Sequence, residues 1–177
     1  MNTTLNKISK LAAVAALLAA AGFAQAGTAT ANVGVSASVA QNCTITSTPV
    51  AFGAYDPVSG SSITAAGTVV VACTKAASSL TVGLDNGANA VGAQRNLKGA
   101  ATSDKLAYSL VLPTAVTPGA ACPSMGSGTA WTTAAPLALS SPTSKAARTY
   151  NVCGQLASGQ DVSVDSYADT VVATINF

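Results

Sequence analysis

The sequence of 177 residues contains no histidine and no glutamate, and only 8% of its residues are charged. Without histidine, neither a Ser-His-Asp triad nor a Cys-His pair can be assembled, which excludes most nucleophilic enzymes. The acids are all aspartates, and they stand in turn contexts such as Asp56-Pro57 and Asp85-Asn86-Gly87, or near a strand entrance at Asp161 and Asp165. A turn role is favoured over a hydrolytic carboxylate pair, so we expect no enzyme and no cofactor.

Metal-binding cysteine pairs and basic clusters are also missing. The chain has no CxxC pair, and without histidine no mixed zinc site can be completed, so we expect no metal site. No cluster of lysine and arginine exists to follow a phosphate backbone. Nucleic acid is therefore not an expected partner.

The first segment has the features of a secretory signal peptide. Lys7 and Lys10 precede an apolar run, Leu11–Ala24, that ends in the cleavage pattern Ala24-Gln25-Ala26. The run has 14 residues, fewer than the roughly 20 that a membrane-spanning helix needs. We expect residues 1–26 to be removed on export, leaving a mature chain with six basic and six acidic residues and no membrane span.

The four cysteines all follow this segment, as expected of disulfides in an oxidising compartment. Three pairings are possible. Sequential pairing, Cys43–Cys73 and Cys122–Cys153, is favoured because an antiparallel pair of strands would bring the start of the first core strand to the end of the second.

The mature chain shows short alternating runs between turn residues and no convincing helical period, which predicts an all-β antiparallel sandwich. Its central part, Thr114–Ser144, is rich in Pro, Gly, Ser and Thr and is expected to be a long surface connection that offers a variable contact surface. The predicted strands are Cys43–Tyr55, Gly67–Thr74, Ser79–Gly87, Lys105–Pro113, Arg148–Leu156 and the final run from Tyr167 to Phe177.

Two further alternating runs lie near the ends of the sequence. Period two places the apolar residues of each run on one face. A sandwich that ends on such a strand lacks a following strand, so it keeps an unpaired edge and a slot in its core. The early run carries Ala29, Ala31, Val33, Val35, Ala37 and Val39, and the late run carries Val171, Ala173, Ile175 and Phe177.

Several motifs together carry a family resemblance. The most specific is the Y-x-D-T pattern of Tyr167, Asp169 and Thr170, followed by the alternating final strand. The others are Cys43, "FGAYD" at Phe52–Asp56, "VVVACT" at Val69–Thr74, "LDNG" at Leu84–Gly87, "LAYSL" at Leu106–Leu110 and "GQ" at Gly159. With them, nearly all of the mature chain resembles the spore coat protein U-like domain of major subunits of archaic (Csu-type) chaperone–usher pili. Trp131 and Cys153 depart from the family pattern.

The resemblance implies an incomplete immunoglobulin-like β-sandwich that lacks its final strand, at residues 43–177, preceded by a donor-strand extension at residues 27–42. Val33, Val35, Ala37 and Val39 of one subunit would then fill a groove beside the late run of a neighbouring subunit. The implied partners are identical or related pilin subunits, a periplasmic chaperone and an outer-membrane usher. The implied location is a cell-surface pilus (fimbrium) that serves adhesion and biofilm formation, with this chain as a shaft or adaptor subunit.

An alternative stays open at this point. The early run could instead pair inside its own domain, which would give a self-contained secreted β-sandwich that coats a surface or binds carbohydrate.

Overall fold

The structure, a computed structural model, describes residues 26–177. The predicted signal peptide, apart from its last residue, lies outside the described residues. The described chain divides into two units after Ser38, and the β-domain is the unit Val39–Phe177.

The described residues form strands and turns and contain no helix, which confirms the all-β prediction. Each of the six predicted runs overlaps a strand, and the final run contains two; β2 begins four residues before its predicted run. The nine strands are β1 (Cys43–Thr48), β2 (Ile63–Cys73), β3 (Thr81–Leu84), β4 (Arg95–Gly99), β5 (Lys105–Val111), β6 (Leu137–Ala138), β7 (Arg148–Leu156), β8 (Tyr167–Ala168) and β9 (Ala173–Asn176).

The strands form two antiparallel sheets that pack as a sandwich. The larger sheet has the order β1-β2-β7-β5-β4-β8, and the smaller sheet has the order β6-β3-β9. The core lies between them, where Val71 and Tyr150 of the larger sheet and Val82 of the smaller sheet are almost fully buried. β1 and β9 are consequently edge strands of different sheets.

Strands β4 and β6 were not expected from the sequence. β4 reads "RNLKG", and its Arg95 and Asn96 are buried although both are polar, so the strand lacks the usual alternation of apolar and polar residues. β6 has two residues, too few to show any period. Tertiary hydrogen bonds and packing hold both strands in place, and local pattern does not report them.

The segment Thr114–Ser144 corrects the prediction of a surface connection. Its first half is mostly exposed, but its second half enters the core. Trp131 is fully buried, and its indole N–H donates to the carbonyl of Val82 at 2.7 Å. Leu137 is buried within β6. Isolated core residues in a Pro/Gly/Ser/Thr-rich stretch give no periodic signal, so their burial could not be predicted from the sequence.

Both disulfides join the cysteines that the favoured pairing joins. Cys43 faces Cys73 in the register of β1 and β2, with Cα atoms 4.1 Å apart. Cys122 is linked to Cys153 of β7, with Cα atoms 5.4 Å apart, which fixes the exposed half of the long segment to the larger sheet.

Candidate functional site: a groove between two edge strands

A candidate groove lies along the edge strands β1 and β9. β1 pairs only with β2 and β9 pairs only with β3, so each strand has one edge without a partner among the described residues. The two strands contact each other across the gap between the sheets. On this side of the sandwich the inward-facing side chains of both strands are only partly buried.

The groove has half-buried apolar walls and a buried floor. Ile45 of β1 and Val171, Ala173 and Ile175 of the late run pack against the core but stay partly exposed. Val171 and Ala173 also line a cavity of about 260 Å³, together with the almost fully buried Val69. Apolar side chains inserted here would remove these walls from water, which is favourable by roughly 25 cal/mol per Å².

The sequence predicts that four late-run residues share one face and line an acceptor groove; three of them pack against the core, and their role as a groove wall stays a prediction. These three are Val171, Ala173 and Ile175, whereas Phe177 is 52% exposed. The opposite wall, formed by β1, was not identified from the sequence. The alternation of Cys43, Ile45 and Ser47 indicates that one face of β1 is buried, but it does not indicate that β1 lies beside β9.

Backbone groups of β9 point into the groove. The N–H of Asp85 donates to the carbonyl of Val172 at 3.1 Å, so the main-chain polar groups of Val172 face β3. Successive residues of a strand direct these groups to opposite sides, so those of Ala173 and Ile175 face the open edge. An additional strand could pair with them, which would satisfy groups that are costly to leave unpaired near an apolar wall.

The turn after β3 holds the start of β9 in place. The Asp85 carboxylate accepts the N–H of Gly87 at 2.9 Å and the N–H of Val172 at 2.9 Å. The N–H of Ala88 donates to the carbonyl of Thr170 at 3.0 Å. The LDNG and Y-x-D-T motifs, far apart in sequence, therefore meet, and we call this contact the turn clamp.

Asp169 closes the turn clamp. Its carboxylate accepts both the backbone and the side-chain N–H of Asn89 at 3.0 Å, and the hydroxyl of Tyr108 at 2.7 Å. Gly87 has a φ of +81°, and a Cβ there would collide with the Asp169 carboxylate, so only glycine fits. The clamp fixes the position of the groove wall that β9 forms.

Buried polar groups of β4 and β5 support the clamp from below. Arg95 is 5% exposed and donates to the carbonyls of Asp85, Leu84 and Trp131. Burial lowers the pKa of Arg95, and the nearby Tyr108 and carboxylates oppose that effect. Burial also raises the pKa of Tyr108, and its hydrogen bond to a carboxylate adds to the rise. Both groups therefore have a structural role in holding the turn.

The predicted donor residues lie in a segment without a strand. Residues 26–42 are assigned no secondary structure. Val33, Val35 and Val39 are 85%, 92% and 84% exposed, and Ala37 is also exposed. Large apolar side chains that are exposed at alternate positions are costly in water, and their role as donor residues stays a prediction.

Outside the clamp, Asp56 has the local turn role that its context predicts, whereas Asp165 and Asp104 accept hydrogen bonds from segments about 60 residues away in the sequence. The Asp56 carboxylate accepts the N–H of Val58 at 2.9 Å. Backbone N–H groups of Thr102 and Ala101 donate to Asp165 and lower its pKa to about 2. Hydrogen bonds from Ser163 lower the pKa of Asp104. Among residues 26–177, no group of three or more His, Cys, Asp or Glu side chains could hold a metal ion.

Over the same residues, no helix of the length and hydropathy that a bilayer span requires is present.

Comparison with known proteins gives one family. The family model described as Spore Coat Protein U domain matches residues 29–174. No curated protein matches the chain. A similar solved structure is the crystal structure of the CsuC-CsuE chaperone–tip adhesion subunit pre-assembly complex from archaic chaperone-usher Csu pili of Acinetobacter baumannii, with a TM-score of 0.47 and 18% identity. The match covers 78% of this chain and 40% of that chain, so this chain spans less than half of its length.

Proposed function

Because this chain belongs to the Spore Coat Protein U domain family, we propose that it is an exported structural subunit of a chaperone–usher pilus. It polymerises by donor-strand complementation, in which the extension of one subunit occupies the groove of the next. The resulting fibre lies on the cell surface and serves adhesion and biofilm formation.

The observation that carries this proposal is the fit between an empty groove and an exposed alternating run. The groove offers apolar walls from Val171, Ala173 and Ile175 beside an unpaired backbone edge. The run at residues 33–39 has apolar residues at every second position, and within the described residues 26–177 it is assigned no strand. A strand with period two inserts one face into the groove and pairs its backbone with β9.

The partners follow from the same geometry. An open apolar groove promotes aggregation in water, so the subunit needs a periplasmic chaperone that covers the groove before assembly. An outer-membrane usher then exchanges the chaperone for the extension of the next subunit. The other partners are identical or related pilin subunits.

The alternative, a self-contained sandwich that coats a surface or binds carbohydrate, requires the early run to pair inside its own domain. Residues 26–42 contribute no strand to either sheet. This observation favours the polymer over the self-contained domain.

Gel electrophoresis of purified surface material, with and without boiling, tests the proposal. Interlocked subunits give a ladder in the unboiled sample and a single band after boiling. Deletion of Gly27–Val39 should abolish the ladder while chaperone-bound subunit persists in the periplasm, because the chaperone does not use this extension. A normal ladder from the deletion variant would refute donor-strand exchange, and loss of the subunit itself would support the self-contained domain.

A further inference from the structure

The charges of the β-domain are separated between its two ends. One end holds Cys43, where β1 begins, and the segments at residues 74–80 and 139–148. Lys75 and Lys145 are exposed and line the same surface depression as Cys43, and the half-buried Arg148 donates to the Ser140 carbonyl at 2.6 Å nearby. These segments contain no acidic residue. We call this surface the basic end.

Connecting segments at the opposite end carry most of the acids. They are residues 49–62, 98–105 and 157–166, and hydrogen bonds join them, for example from the Gln160 N–H to the hydroxyl of Tyr55 at 2.7 Å and from the Ser163 N–H to Asp104 at 2.9 Å. We call this surface the acidic end. Its charged residues are Asp56, Asp104, Asp161 and Asp165, with Lys98 and Lys105.

The acidic end also has an unsatisfied apolar surface. Val58 is 93% exposed, and Val164 is fully exposed. Val164 lines a cavity of about 590 Å³ together with the half-buried Phe52, Tyr55 and Val162. Exposed valines around an apolar cavity indicate a docking surface.

Strand geometry identifies which part of a second copy would meet this surface. The end of β1 and the start of the late run line the same cavity, since Thr48 and Val171 both contact it, so the start of β9 lies toward the acidic end. Every strand pair in both sheets is antiparallel. An inserted strand that pairs antiparallel with β9 therefore ends near the acidic end, and its own domain follows at once, beginning with Cys43.

We propose that the acidic end of each subunit docks the basic end of the next copy of this chain, around Val58, Val164 and the cavity beside them. The inference rests on the proposed function, since the inserted extension brings the two ends together. The two exposed lysines of the basic end complement the acidic end, where four aspartates outnumber two lysines, and this favours the register over one that would place two basic ends together. The contact adds a second junction between subunits beside the inserted extension.

A zero-length carbodiimide, which joins a lysine amine to a carboxylate in direct contact, tests the contact in purified fibres. We expect ladders that survive boiling and peptides that link Lys75 or Lys145 to Asp56 or Asp161. Such a link cannot form within one subunit, because the eleven residues of β2 separate the two ends by roughly 35 Å. Its yield should fall severalfold in 1 M salt, where the screening length is about 3 Å.

Two variants with the same change in net charge provide the matched comparison, with Lys75 cross-links as the readout. Lys145→Glu, at the basic end, should lower their yield severalfold. Lys98→Glu, at the acidic end, should leave the yield unchanged or raise it. An unboiled ladder without Lys–Asp peptides, or equal loss in both variants, would overturn the end-to-end contact alone. Absence of an unboiled ladder from unmodified fibres would overturn the proposed function and this contact with it.

Discussion

Replacement of Val35 by aspartate should block polymerisation and leave the folded domain intact. Val35 is 92% exposed in the described chain, so insertion would bury nearly its whole side chain. Burial of a valine contributes about 1.5–3 kcal/mol. The aspartate loses this contribution and places an unpaired carboxylate against apolar walls, where the effective penalty for a buried ion is several kcal/mol.

The two effects together amount to at least about 4 kcal/mol, and each 1.4 kcal/mol is a factor of about ten in an equilibrium constant. We therefore expect donor-strand binding to weaken by about three orders of magnitude or more. The matched control is Ser36→Asp, which introduces the same charge one position later, on the face that points to solvent when Val35 points into the groove.

The assay compares fibre yield with the level of subunit in the periplasm for both variants. Val35→Asp should abolish fibres at an unchanged periplasmic level, and Ser36→Asp should form fibres. Normal fibres from Val35→Asp would refute insertion of this face, and equal loss in both variants would show that added charge, rather than burial, is responsible.

Three further predictions concern the stability of the domain. Gly87→Ala should lower the free energy of unfolding by more than about 2 kcal/mol, because it combines a left-handed backbone with a collision in the turn clamp. Gly92 also has a left-handed backbone but open space around it, so Gly92→Ala should lower the free energy of unfolding by only about 1 kcal/mol. Denaturant titration measures both values. Because the pKa of Asp165 is lowered in the folded protein, its charged form stabilises the fold above pH 4, and this stabilisation is lost as the pH falls toward 2. Asp165→Asn should therefore reduce Tm at pH 7 and make Tm decline less steeply in acid. Replacement of Cys43 and Cys73 by alanine should cost about 3–4 kcal/mol of unfolding free energy because it reopens a loop of 30 residues, and an undiminished denaturation midpoint would contradict this estimate.

The disulfides show how far a sequence can determine long-range contacts. Four cysteines allow three pairings, and the alternation of the flanking strands was enough to favour the pairing that the structure has. The prediction succeeded because antiparallel neighbours in sequence also tend to be neighbours in a sheet.

Local sequence pattern did not predict the burial of an isolated core residue or of a charged residue. Trp131 lies in a segment with the composition of a loop, yet it is fully buried. Arg95 is a charged residue in the interior, held there by backbone carbonyls from three residues. Neither position has a periodic signal, because burial here depends on partners that are distant in the chain.

The sequence by itself determined the all-β class, the alternation by which Val171, Ala173 and Ile175 of the late run face the core, and the exposed alternating run that we propose as a donor strand. These features depend on period-two patterning, which is local and therefore readable from the chain. Only the tertiary structure decided that the edge strand β1 lies beside β9, that the LDNG and Y-x-D-T motifs close one turn clamp, and that charge is divided between the two ends. Each of these depends on which segments the two sheets bring together, and contacts between distant segments are set by packing of the whole core rather than by any short stretch of sequence.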